Sequence, residues 1–159
     1  MITNFKIKEK KILLKIFITF SLGFLSSFSL PPYNFIFLNF IVYPVFFLLL
    51  CNNAKSRSLS FLFGWAFGFG YFFSNIYWIT NSLTFDDSFT KLIPLTLFII
   101  PLFLGLFYGV STLVINFFTI KNNMSSVLFF AATISLFEYL RGTILTGFPW
   151  NLIVFSLSD

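Results

Sequence analysis

An acid and a base three residues apart, Glu138 and Arg141, stand late in an otherwise greasy chain, in the run EYLRGTILTGFPWN (138–151). On a helix the two project from nearly the same side. Near a membrane boundary they can pair and shield one another. Ionisable groups inside spans are costly and tend to be functional or paired. Arg141 can also extend toward lipid head groups along its aliphatic stem. Gly142 is expected to let the chain leave the helix. Thr146-Gly147-Phe148-Pro149-Trp150 reads as a turn, because Pro149 holds Phe148 extended and Trp150 suits the membrane interface. A capped helix end with an aromatic anchor and a ligand site both fit these residues.

Other chemistry is scarce. There is one cysteine, Cys51, and no histidine. A disulfide within the chain is impossible, and a His-based or Cys/His metal site is excluded. Cys51 has Lys55 near it in sequence but no carboxylate, the pattern of inert apolar packing. Glu138 lacks a neighbouring nucleophile and reads as the structural partner of Arg141. No cofactor and no metal are expected.

The elements that carry these residues are set by composition. The chain is 58% hydrophobic and 9% charged, with a mean hydropathy of +0.93. Soluble domains carry about 25% charged residues, and one of this size leaves roughly 30% of its unfolded surface in water. The expected class is therefore an all-α integral membrane protein, a polytopic transmembrane helix bundle. Phe accounts for 28 residues. Codon bias explains them more simply than a dedicated lipid-binding surface, and Phe suits membrane interiors. The net charge of +5 is no nucleic-acid footprint, since Lys6, Lys8, Lys10, Lys11 and Lys15 crowd the start of the chain.

A crossing needs about 20 apolar residues. Five complete spans are expected, at about 12–30, 35–50, 59–79, 92–118 and 127–140, with the start of a sixth from about 151. The second is short and contains Asn39 and Pro44; the fourth carries Pro101 as a kink. The basic head and first apolar run also resemble a secretory signal, but an uncleaved span is simpler because more spans follow at once. Lys55, Arg57 and Lys121 fall in the second and fourth loops, and Asp86 and Asp87 in the third. Basic loops stay cytoplasmic, so the N-terminus is expected inside and the 138–150 segment outside. Small residues repeat every four positions: Ser60-Gly64-Gly68, Ala66-Gly70-Ser74 and Gly105-Gly109. That spacing lets helix backbones approach; packing within one bundle is the expected use.

The run from Glu138 to Trp150 resembles the E-x-L-R-G-x-x-x-T-G-F-P-W segment of bacterial apolipoprotein N-acyltransferases. FSLPPYNF (28–35) is similar to the stretch after that family's first span, and GWAFGFGYFFSNIYWI (64–79) to its Gly-rich third span. The resemblance covers the whole chain. It implies a bacterial inner-membrane, multi-pass acyltransferase acting in the last step of lipoprotein maturation. The acyl donor is a phospholipid, and the acceptor is the amino group of a lipoprotein's diacylglyceryl-modified N-terminal Cys. In that family a nitrilase-like domain outside the membrane supplies a Glu-Lys-Cys set; a thiolate attacks the ester while a Lys steadies the oxyanion.

No such domain is legible here, so the resemblance implies the N-terminal membrane portion, a fragment inactive alone and without catalytic residues of its own. Candidates for a lipid-accessible cleft, or for holding it together, are Pro31, Pro32, Tyr33, Trp78, Glu138, Arg141, Gly147, Phe148, Pro149 and Trp150. Membrane lipids are expected partners and nucleic acid is not. A small transporter and a non-catalytic lipid-binding scaffold are the rival readings; few polar residues within the spans argue against the first.

Overall fold

The basic head and the first apolar run form one continuous helix, α1 (Ile2–Ser26), in a computed structural model that describes residues 2–53, 56–76, 79–85, 90–118, 121–144 and 151–157. A 3-10 turn, Ser27–Ser29, follows. Leu30 is then extended (φ −90°, ψ 161°), as a residue before proline must be, and the cis Pro31–Pro32 pair ends the helical path. A second 3-10 turn, Ile36–Leu38, leads into α2 (Asn39–Cys51). Ser56 opens α3 (Arg57–Asn75) as its N-cap, its hydroxyl accepting from the Leu59 amide; a cap satisfies one of the free first-turn donors. The short α4 (Ile79–Leu83), α5 (Ile93–Phe117), α6 (Met124–Ile144) and a 3-10 helix, Ile153–Leu157, complete the order. Among the described residues there is no strand.

Three of these helices are long and apolar enough to cross a membrane: Glu9–Ser29, Ile93–Phe117 and Met124–Ile144; Ile36–Cys51 is apolar but shorter. Phe17, Phe40, Phe98, Phe103, Leu128 and Leu136 point outward. An apolar exterior of this extent marks a surface meant for something other than water.

The third expected span departs from 59–79, because the helix stops at Asn75 and Ile76 leaves helical geometry at ψ 0°. The fifth runs longer than 127–140. The side chain of Asn123 accepts from the Ser126 amide and starts it earlier. At its other end the helix continues through Gly142 to Ile144, so Gly142 does not release the chain. A Cβ there would meet only the Leu152 methyls at 3.5 and 3.6 Å, an ordinary contact.

α3 is the central post, and its two small stripes face two different neighbours. On one side, a Cβ at Gly64 would strike the Tyr108 carbonyl and Thr112 of α5, and one at Gly68 would lie 2.7 Å from the Gly105 Cα. The Thr112 hydroxyl donates to the Ser60 carbonyl (2.8 Å), and the Asn116 amide donates to the Ser60 hydroxyl (2.9 Å). On the other side, a Cβ at Gly70 would strike the Phe20 carbonyl of α1, and one at Gly23 the Phe67 carbonyl. The Ser27 hydroxyl donates to that of Ser74 (2.8 Å). With no hydrophobic drive between helices in lipid, close backbone packing and such hydrogen bonds hold them together. α2 joins through Phe46, whose ring stacks on Phe67 at 4.3 Å.

Candidate functional site

The buried face of α6 carries Phe130, Ile134, Glu138 and Arg141, a helical stripe that turns both charges into the bundle. Arg141 is 0% exposed and Glu138 8%. The expected pair is present: the Arg141 Nη2 donates to Glu138 Oε1 at 3.2 Å. Extension of Arg141 to head groups is not what the structure shows. The guanidinium instead lies over the Phe72 ring of α3, 4.8 Å from its centroid, where the aromatic face attracts a cation.

Three elements converge on the Glu138 carboxylate. Tyr108 of α5 donates its hydroxyl to Oε1 at 2.7 Å. The backbone amide of Ile153 donates to Oε2 at 2.9 Å, so the carboxylate caps the first turn of the 3-10 helix that follows α6. A negative group is favoured at such a terminus. Tyr71 of α3 donates to the Asn151 carbonyl (2.9 Å), and the Asn151 side chain donates to the Asn75 carbonyl (3.2 Å). The chain after α6 is thus stitched into the bundle at 151 and 153. Irregular backbone at membrane depth is tolerated only where protein satisfies its polar groups. Beside this clasp a cleft of about 370 Å³ opens between α6 and the 3-10 helix, lined by Ile134, Ser135, Glu138, Tyr139 and residues 152–154.

Tyr71, Tyr108 and Asn151 were absent from the sequence candidates. A signal for the two tyrosines exists: each is a hydrogen-bonding ring inside an apolar run, beside the small residues Gly70 and Gly109. Buried Tyr hydroxyls find partners.

Pro31, Pro32 and Tyr33 lie in the turn after α1. Tyr33 is 54% exposed, its ring edge-on to Phe28 at 5.0 Å. The Ser27–Ser74 and Asn151–Asn75 bonds place this turn, the end of α3 and the chain after α6 at one end of the bundle. Trp78, Gly147, Phe148, Pro149 and Trp150 lie outside the described residues, as do Lys55, Asp86 and Asp87. Cys51 sits half-buried on the last turn of α2, at the opposite end of the bundle from Asn151. Among the described residues no group of three or more metal-ligating side chains is present. The arrangement fixes backbone and shapes a cleft.

Comparison with known proteins gives a consistent result. A family model described as "Apolipoprotein N-acyltransferase N-terminal domain" matches residues 22–159. A Brucella melitensis protein named apolipoprotein N-acyltransferase is 34% identical over 144 residues, covering 84% of this chain and 27% of its own. A Rhizobium etli protein of the same name is 33% identical over 144 residues, covering 85% and 27%. One from Rhizobium meliloti is 31% identical over 149 residues, covering 88% and 28%. The chain therefore spans about 27% of the length of such relatives.

Proposed function

We infer the function from one premise: this chain belongs to the apolipoprotein N-acyltransferase family. We propose that its residues form the membrane part of a bacterial N-acyltransferase. The enzyme would move an acyl chain from a phospholipid to the N-terminal amine of a diacylglyceryl-modified lipoprotein. In this reading the thiol chemistry belongs to residues outside these 159, since Cys51 lies at the opposite end of the bundle from the Glu138 clasp.

The bundle crosses the membrane five times in this reading, with the basic N-terminus inside. α3 counts as a crossing although it is less apolar than α5, because α1 and α5 shield its Gly and Ser stripes from lipid. Residues 151–157 begin the next membrane segment. The observation that carries the reading is the Glu138 carboxylate, which ties Arg141, Tyr108 and the Ile153 amide together. By fixing Ile153 it holds the chain that follows α6 against the bundle. We propose that the Pro31–Tyr33 loop and this end of the bundle border a lipid-accessible cleft at the outer face, beneath the catalytic domain, with Trp78, Phe148, Pro149 and Trp150 as further candidates for it.

Two assays test this. Acyl transfer from phospholipid vesicles to a diacylglyceryl-cysteinyl peptide should be absent with the 159-residue chain alone. In a full-length relative, alanine at the position aligned with Arg141 should lower N-acylation or abundance. Turnover by the chain alone would place the chemistry within these helices. Unchanged acylation and abundance in the Arg141 variant would remove the clasp from the mechanism.

A further inference from the structure

The other end of the bundle holds a cleft that the proposed reaction does not use. Its floor is the Phe130 ring of α6, edge-on to Phe47 (5.4 Å) and Phe46 (6.0 Å) of α2. Above that contact the two helices leave a space of about 310 Å³ between Pro44 and Leu48 of α2 and Val127 and Ala131 of α6. This is the small end of the roughly 300–1,000 Å³ typical of ligand clefts. The loop before α6 contributes Asn122 to the lining.

Basic side chains predominate around that end among the described residues. Lys121, next to Asn122, is exposed on an ordered turn: its amide donates to the Ser126 hydroxyl at 3.0 Å. Lys15 donates to the Asn53 side chain just past α2, at 2.9 Å. The Arg57 guanidinium lies 4.3 Å from the Phe117 ring centroid at the end of α5. Among the described residues the carboxylates are Glu9 and Glu138. Glu138 is about 16 Å along α6 from Val127, and Glu9 about 9 Å along α1 from Lys15, at the helical rise.

We propose that this cleft is a binding site for an anionic phospholipid. One acyl chain lies between α2 and α6 against Phe47, Phe130 and Ala131, and the phosphate sits by Lys121 with the Asn122 amide as a donor. An apolar cleft open to lipid fills with hydrocarbon, and a basic rim selects the head group. The site is separate from the Glu138 clasp and does not depend on acyl transfer.

The test uses the whole chain in lipid nanodiscs containing diazirine-tailed phosphatidylglycerol or phosphatidylcholine, with adducts mapped by peptide mass spectrometry. Adducts should concentrate on the peptides bearing Phe47–Leu48 and Val127–Ala131, above the lipid-facing Phe98 and Phe103 of α5. Ala131→Trp and, separately, Leu48→Trp should each cut cleft adducts at least fivefold while α5 adducts persist, which also shows that the variants fold. Lys121→Gln should lower the phosphatidylglycerol preference by about fivefold, the change expected for one basic residue at an anionic surface. Equal labelling of cleft and α5 would mean ordinary boundary lipid and overturn the proposal. So would an unlabelled cleft, or one that cross-links to a second copy of the chain.

Discussion

Arg141→Ala tests the clasp most directly. The substitution removes the guanidinium that lies 3.2 Å from Glu138 Oε1 and over the Phe72 ring. Glu138 then keeps the Tyr108 hydroxyl and the Ile153 amide as donors. Breaking a buried ion pair by removing one partner costs about 3–5 kcal/mol, because the other charge stays buried and uncompensated. The double variant Glu138→Gln, Arg141→Met should recover most of this. The Gln carbonyl still accepts from Ile153, Met fills much of the Arg stem's volume, and no charge remains. Its residual cost is about 1–2 kcal/mol, the scale of one imperfect buried hydrogen bond. Unfolding in detergent micelles, with the exposed Lys11→Ala as a surface control, reads the order directly. The single variant should be the least stable of the three. If it matches the control, or if the double variant is worse than the single, the ion pair does not hold this end of the bundle together.

Gly70→Ala and Gly23→Ala should each destabilise the chain by about 1–3 kcal/mol, the usual cost of overpacking, because their new methyls meet backbone carbonyls of the facing helix. Gly142→Ala should leave stability unchanged or raise it by up to about 1 kcal/mol, since the site is helical and open; the same micelle unfolding distinguishes the two outcomes. Tyr71→Phe should raise hydrogen exchange in residues 151–157 with little change in α5, because it removes the bond to the Asn151 carbonyl. In a Cys51→Ala background, Tyr33→Cys should react with a membrane-impermeant maleimide from outside intact cells, while native Cys51 should not; the reverse pattern would invert the proposed topology.

Local rules made several of these features legible in the sequence. The four-residue spacing of Ser60, Gly64 and Gly68, and of Ala66, Gly70 and Ser74, announced close helix contact, and the structure assigns one stripe to α5 and the other to α1. The ends of α5 came within a residue of 92–118, because a long apolar run bounded by polar loops has one reading. The ends of α6 did not, since its start depends on the Asn123 cap and its finish on how little a glycine matters inside an otherwise intact helix. The Glu138–Arg141 pair was legible from a spacing of three. Its inward direction was not, because that depends on sharing a phase with Phe130 and Ile134. Partners from other elements, Tyr108 at thirty residues' separation and the Ile153 amide, were beyond any local rule.

The distribution of polar groups ties these points together. In lipid, apolar contact distinguishes helix partners poorly, because a lipid tail serves a leucine as well as another leucine does. Specific geometry must come from shape and from the few groups that need a polar partner. The described polar bonds between α3 and α5 are those of Ser60, Thr112 and Asn116 at the basic end, and that of the Trp65 indole N–H to the Leu102 carbonyl further along. Those that hold the chain after α6 run to Tyr71 and Asn75 of α3, to Glu138 of α6 and to Asn39 of α2. The first set fixes helix against helix. The second fixes a short 3-10 segment to three helices at once, which apolar packing alone does poorly because the donors and acceptors at its ends would stay unpaired. A charged pair is a costly way to supply one acceptor, and Tyr108 with Arg141 offsets that cost by surrounding the carboxylate with donors. This division explains why the buried Glu138 sits beside the segment that must be positioned.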